Sequence, residues 1–179
     1  RRIKLKEPII LQHLPKVNNQ WTAASVALDN EGNIHLSDSN DGSVRKYSSE
    51  TGLATGHSFS SGFSNVSVRH FNNSLYITYN MGLIRRNYQY GNIWTRSGEQ
   101  APFNPTTGVH ANNDYVLVGC GDGLPRLYSN LTGGLVWNGP IVGTDHPRGV
   151  FIPPDSSACY VTGANNGVVY KLNISTGAI

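Results

Sequence analysis

Charged residues make up only 14% of the chain, cysteine occurs twice and methionine once, and no apolar run is long enough to cross a membrane as a helix. Each scarcity excludes something. The formal charge is +3, and no Lys/Arg cluster with interleaved aromatics accompanies it, so the composition gives no support for nucleic-acid binding. Membrane insertion finds none either. Two cysteines, Cys120 and Cys159, are too few for a small domain built on disulfides. Strong helix formers are sparse, and no ten-residue stretch places apolar residues three and four apart, which argues against helices.

What fills the chain instead is glycine, with 20 residues, together with asparagine and serine. Short apolar runs alternate with Gly/Asn/Asp/Ser punctuation, the habit of strands and hairpins. The pattern repeats. Gly42, Gly82, Gly123 and Gly167 each follow a short apolar strand and open the next, at spacings of 40, 41 and 44 residues. The strands before them are Ile34–Leu36, Leu75–Ile77, Val116–Val118 and Cys159–Val161. Those after run Val44–Tyr47, Leu83–Tyr88, Leu124–Tyr128 and Val168–Leu172. Each unit closes on a turn glycine at Gly52, Gly91, Gly133 or Gly177. An inner strand precedes each at Val26–Leu28, Val66–Val68, Val109–Ala111 and Val150–Ile152. A fourth, more variable strand lies around His57, Trp94 and Trp137.

Four antiparallel strands in about 40–45 residues is the size of one β-propeller blade. The fold class expected is therefore all-β, a single propeller domain over 1–179. It has four blades of four antiparallel strands, with repeats at about 21–60, 61–101, 102–143 and 144–179. Residues 1–20 are expected to form an outer closing strand, Ile3 to Leu11 pairing with Val168 to Leu172. Two readings of the ring stay open: a closed four-bladed ring, or part of a six- to seven-bladed one. The chain starts at Arg1 without a methionine, as a processed secreted product or a piece of a longer protein would.

The residues His146-Pro147-Arg148-Gly149-Val150-Phe151-Ile152-Pro153-Pro154-Asp155, then Tyr160-Val161-Thr162, Asn166-Gly167-Val168-Val169 and Thr176-Gly177 resemble a YVTN/NHL-type propeller repeat. The first unit is similar, with Asp29-Asn30-Glu31-Gly32 and Asp41-Gly42. Units two and three lack the proline before the inner strand. The resemblance implies a fold and no chemistry. Strictosidine-synthase-like and lactonase-like propellers hold a metal or acids in the channel, and that likeness points to Ser25, Asn65, Thr107 and Arg148. Only Asn65 is a plausible ligand among them, and Arg148 would repel a cation.

No catalytic constellation, cofactor motif or metal set emerges. Asp38-Ser39-Asn40-Asp41-Gly42 lacks the spacing of a calcium loop and reads as a hairpin. Gly119-Cys120-Gly121-Asp122-Gly123 is followed by no helix that would make it a phosphate cradle. Cys120 and Cys159 sit at opposite ends of equivalent strands, about 13 Å apart along the strand, too far for a disulfide. Both read as small buried side chains. None of His13, His35, His57, His70, His110 and His146 has zinc-ligand spacing; His110, on an inner strand, reads as a hydrogen-bonded structural residue. Trp21, Trp94 and Trp137 read as packing between blades.

Four N-x-S/T sequons occur, at Asn65, Asn72, Asn130 and Asn173. Asn130 and Asn173 fall in the same outer hairpin of consecutive units and Asn72 in an inner turn, so all three are expected to be exposed and open to glycosylation in a secreted protein. Arg45, Arg85 and Arg126 each follow the hairpin glycine by three residues and Lys171 by four. This suggests a basic belt, or aliphatic stems laid on the neighbouring blade. The function expected is a non-enzymatic extracellular or cell-surface module, structural or recognising a protein or glycan through its loops, with self-association. The alternative is a fragment of a propeller enzyme whose catalytic blades lie elsewhere.

Overall fold

A computed structural model of the chain describes residues 23–60, 67–79, 82–97, 108–142, 147, 149–163 and 167–179. Every element among them is a strand. The first sheet is β1 (Ala23–Leu28), β2 (Ile34–Asp38), β3 (Ser43–Tyr47) and β4 (Ala54–Ser60). The second is β5 (Ser67–Phe71), β6 (Ser74–Tyr79), β7 (Gly82–Asn87) and β8 (Asn92–Ser97). The third is β9 (Val109–Ala111), β10 (Tyr115–Gly119), β11 (Pro125–Ser129) and β12 (Leu135–Asn138). The fourth has three described strands, β13 (Val150–Phe151), β14 (Cys159–Thr162) and β15 (Val169–Leu172). Each sheet is an antiparallel meander in chain order. These are the blades of a β-propeller. Val26, Val109 and Val150 lie on first strands, whereas Val66 lies outside the described residues. Residues 1–22 also lie outside them, and with them the expected closing strand.

Three apolar clusters hold the blades together. Between blades 1 and 2 lie Ala27, Val44, Val68, Leu75, Ile77, Ile84 and Tyr90. Between blades 2 and 3 lie Tyr76, Leu83, Trp94, Val109, Val116, Val118, Cys120 and Tyr128. Between blades 3 and 4 lie Leu117, Leu127, Trp137, Ile152, Cys159, Val161 and Leu172. Alternate residues of each middle strand serve opposite faces: Leu75 and Ile77 pack towards blade 1, Tyr76 towards blade 3. A strand buried on both faces must be apolar almost throughout, and β6 is buried at every position.

A tryptophan clamp recurs between blades. Trp94 Nε1 donates to the Asn130 carbonyl at 2.9 Å and Trp137 Nε1 to the Ile174 carbonyl at 2.8 Å. Each acceptor lies three residues before a turn glycine, Gly133 or Gly177, whose φ is +69° or +74°. A Cβ on Gly133 would stand 2.8 Å from Trp94 Cδ2, and one on Gly177 2.9 Å from Trp137 Cδ2. Only glycine combines the left-handed backbone with room for the indole. Blade 2 turns one residue earlier: Asn87 N donates to Gly91 O, where Ser48, Ser129 and Asn173 reach five residues on. Tyr90, not Gly91, takes the positive φ there, at 61°.

The third-strand register corrects one expectation. Tyr79 pairs with Gly82 across two residues, whereas Ser37 pairs with Val44 and Thr162 with Val169. Gly82 is thus a strand residue, one position out of step with the turn glycines Gly42, Gly123 and Gly167. A Cβ on it would meet the Arg96 carbonyl oxygen at 2.2 Å, so close approach of β8 requires glycine there.

Candidate functional site

Antiparallel meanders bring the first and third hairpins of every blade to one end of the propeller. The first-strand hairpins there are polar. In blade 1, Asp29 Oδ1 accepts from the backbone N–H groups of Glu31 (3.0 Å) and Asn33 (2.8 Å). In blade 3, Asn112 Oδ1 accepts from Asp114 (3.1 Å) and Tyr115 (2.8 Å) in the same way. In blade 2, Phe71 pairs with Ser74, so Asn72 and Asn73 form a two-residue turn, both with positive φ, 41° and 57°. Asparagine tolerates that conformation better than other side chains.

These turns join into one rim. Asn30 Nδ2 donates to Asn73 Oδ1 at 2.8 Å, linking blades 1 and 2. Asn72 Nδ2 reaches Asn113 Oδ1 at 3.4 Å, linking blades 2 and 3. Asn112 Nδ2 donates to Ser156 Oγ at 2.7 Å and to the Pro153 carbonyl at 3.2 Å, linking blades 3 and 4. Ser156 Oγ then donates to Asp114 Oδ2 at 3.3 Å. Asn30, Asn72, Asn73, Asn113 and Asp114 are exposed. The rim presents amides, carbonyls and the acids Glu31, Asp114 and Asp155. Its chemistry is hydrogen bonding of donors and acceptors together.

Beneath the rim lies a buried chain. His35 Nε2 meets Asp29 Oδ2 at 3.0 Å, and His35 Nδ1 meets the Tyr90 hydroxyl at 3.0 Å. Lys46 Nζ stands 3.3 Å from Asp29 Oδ2. The neutral ring that satisfies both neighbours donates from Nε2 and accepts at Nδ1. Burial holds His35 below the usual histidine range, the nearby Asp29 charge only partly opposing it. Burial also raises the Asp29 carboxyl, but hydrogen bonds from His35, Asn33 and Lys46 together outweigh it and hold it at about 2. The Tyr90 hydroxyl is raised by burial and by the Asp29 charge. An Asp–His–Tyr series of this kind resembles a proton relay, but all three side chains are buried and satisfied. It fastens the rim of blade 1 to blade 2.

The sequons separate. Asn72 and Asn173 are exposed. Asn130, expected to be exposed, is buried. Tyr76 Oη donates to its Oδ1 at 2.7 Å, and its Nδ2 donates to the Asn112 carbonyl. Asn130 and Asn173 are not equivalent: Ser129 is the counterpart of Asn173, since Gly133 N donates to Ser129 O as Gly177 N does to Asn173 O. One residue of offset turns Asn130 inwards. Asn65 lies outside the described residues.

The basic side chains do not share one ring. Counting back from the outer turns aligns Arg45 with Arg126, and Lys46 with Arg85 and Lys171, so the two sets point to opposite faces. Arg45 Nη2 pairs with Asp41 and Arg126 Nη2 with Asp122, each at 2.5 Å. Arg85 donates to the Asn130 carbonyl at 2.7 Å and to Ser74 Oγ at 3.1 Å. Lys171 is exposed.

Of the channel positions, Ser25 Oγ accepts from Val68 N at 2.7 Å and shares a hydrogen with Ser37 Oγ at 2.9 Å; Asn65, Thr107 and Arg148 lie outside the described residues. His110 is half-buried, accepts at Nδ1 from Ile152 N at 3.3 Å and packs its ring 4.8 Å from Phe151. Among the described residues, no group of three His, Cys, Asp or Glu side chains is placed to hold a metal. Cys120 and Cys159 are free and buried in different blade interfaces; burial pushes their thiols up to about 12 and about 11. The rim was not singled out in the sequence. Its signal was present as Asn-Asn pairs at 72–73 and 112–113 and as Asp29-Asn30, in successive first hairpins.

No family model and no curated protein matches the chain in sequence. Solved structures do match in shape. The computationally designed Ika4 protein superposes with a TM-score of 0.73 at 15% identity, covering 89% of this chain and 95% of its own. The computationally designed Ika8 protein gives 0.69 at 18% identity over 87% of this chain; the chain spans 47% of Ika8. The similarity is one of fold.

Proposed function

We propose that the chain is a non-enzymatic recognition module, extracellular or at the cell surface. On this reading it is built on YVTN/NHL-type repeats, binds a protein or glycan partner through its rim, and self-associates. The observation that carries the reading is the rim itself: exposed Asn30, Asn72, Asn73 and Asn113 bonded blade to blade across blades 1 to 3, with buried Asn112 continuing the link to blade 4. The interblade bonds pre-position these side chains, so less ordering entropy is lost on binding. The described rim carries acids and no exposed arginine, which favours neutral, hydroxyl-rich ligands over acidic ones. Exposed sequons at Asn72 and Asn173 suit a secreted protein. A glycan on Asn72 would cover the junction of blades 2 and 3, whereas one on Asn173 stands at the outer turn and leaves the rim open.

The test is an amide chemical-shift titration with a panel of neutral oligosaccharides at millimolar concentration. Shifts are expected in the turns at 29–33, 72–73 and 112–114, and to weaken at least tenfold in the Asn30→Ala/Asn113→Ala variant with its melting temperature little changed. Shifts confined to other surfaces, or none across the panel, would sink the glycan reading.

A further inference from the structure

Apolar positions that are buried in inner blades are bare at the two ends of the array. Val26, Val68 and Val109 are equivalent, each pairing with the corresponding middle-strand residue. Val68 is 0% exposed and Val109 3%, against 52% for Val26. Leu28 is 60% exposed, where its counterparts Ala111 and Ile152 are 5% and 1%. At the other end, Val169 is 63% exposed while its counterparts Val44 and Leu83 are fully buried. Phe151 beside it is 47% exposed; within the propeller that position is 8% exposed as Ala27, half-buried as His110 and exposed as Arg69. Blade 1 thus turns an apolar face outwards on one side and blade 4 on the other. These are the two complementary halves of the interface that recurs three times inside the chain.

We propose that a second copy of this chain covers them: blade 4 of each copy packs on blade 1 of the other, and two chains close a ring of eight blades. This makes concrete the self-association in the reading above and uses a surface separate from the rim. Three observations favour a second copy. First, the two bare faces are the two sides of one repeated contact, so a head-to-tail contact reuses packing the chain already makes. Second, charge fits. Lys46 lies over the Tyr88 ring and Arg85 bonds the Asn130 carbonyl, each just past the turn-capping residue of the next blade. Lys171, their counterpart, would reach the partner's turn at Ser49, beside exposed Glu50. Third, the chain superposes on about half of the Ika8 chain, so the same four-blade unit fits within a longer propeller.

The test is the mass in solution of the 179-residue chain by light scattering, across a concentration series, for wild type, Leu28→Asp and Phe151→Asp. A dimer of the 19.5 kDa chain is expected for wild type, and monomers for both variants with strand signal and cooperative melting retained. Equimolar mixing of the two variants is expected to restore dimer, because one intact contact remains between unlike copies. A wild-type monomer at every concentration overturns the proposal, since the faces are then covered within one polypeptide or left bare. So does a dimer indifferent to both substitutions, and so do open oligomers that grow with concentration. A monomer that still binds through its rim would sink this proposal and leave the recognition reading standing.

Discussion

Replacing Asp29 by asparagine tests whether the buried Asp29–His35–Tyr90 chain fastens the rim. The carboxylate accepts from His35 and two backbone N–H groups and faces Lys46. A charge-assisted hydrogen bond contributes roughly 1.5–3 kcal/mol, and breaking a buried ion pair costs roughly 3–5. Lys46 keeps Glu31 at 3.7 Å, so the lower part of that range applies. The expected loss for Asp29→Asn at pH 7 is about 3 kcal/mol, or about 6–12 °C in melting temperature. Acidity should then erase much of the difference. The folded carboxyl titrates at about 2 against an ordinary 3.8. Its stabilisation is therefore present above pH 3.8 and lost as pH falls through 2, and the gap corresponds to about 2 kcal/mol. Urea unfolding followed by tryptophan fluorescence at pH 7 and pH 2 measures both values. A loss below about 1 kcal/mol at pH 7, or a difference that persists undiminished at pH 2, would refute the reasoning.

His35 is held below its usual range by burial, so the unfolded chain takes up a proton first and wild-type stability should begin to fall as pH drops below about 6.5; flat stability from pH 7 to 5 would contradict this. Gly133→Ala should cost more than Gly56→Ala in chemical denaturation. Both glycines have positive φ, but a Cβ meets Trp94 only at Gly133, which adds about 1–3 kcal/mol of overpacking. Trp94→Phe should lose at least about 0.5–1.5 kcal/mol, the indole hydrogen bond, since Arg85 still donates to the Asn130 carbonyl; equal stability would deny the clamp. Chain secreted from eukaryotic cells should carry sugar at Asn72 or Asn173 on peptide mapping and none at Asn130.

The repeat was legible because its signals are chemical: turn glycines, alternating apolar strands and closing Thr-Gly pairs. What was not legible was parity. Anchoring blade 2 on Gly82 shifts its third strand by one residue, since Tyr79 pairs with Gly82 with only two residues between them, fewer than between the equivalent pairs of the other blades. A separate one-residue offset within the outer hairpin sets Asn130 against Asn173, though Ser129 is the true counterpart. A period-2 side-chain pattern makes one residue of error a change of face. It made a belt of arginines that belong to opposite faces and an exposed sequon of a buried amide. Hairpin length decides this, and glycine spacing reports it only when all turns are equally long.

The same parity explains why the polar rim and the apolar ends coexist in one repeat. In each blade the strand interiors are committed to the neighbouring blades, as at Leu75 and Tyr76 on opposite faces of β6. Residues free to differ between repeats are those in the turns, and there the chain places Asn30, Asn72, Asn73 and Asn113. A blade can therefore vary its rim without disturbing its apolar contacts. The contacts keep a fixed left side and right side, whatever the number of blades. An array of such units always exposes one face of each kind at its two ends, unless they meet. In this chain Val26 and Leu28 stand at one end and Phe151 and Val169 at the other. The surfaces proposed for recognition and for assembly are consequently different. Asn30→Ala and Leu28→Asp, only two residues apart, should separate them: the first alters ligand binding alone and the second alters mass alone.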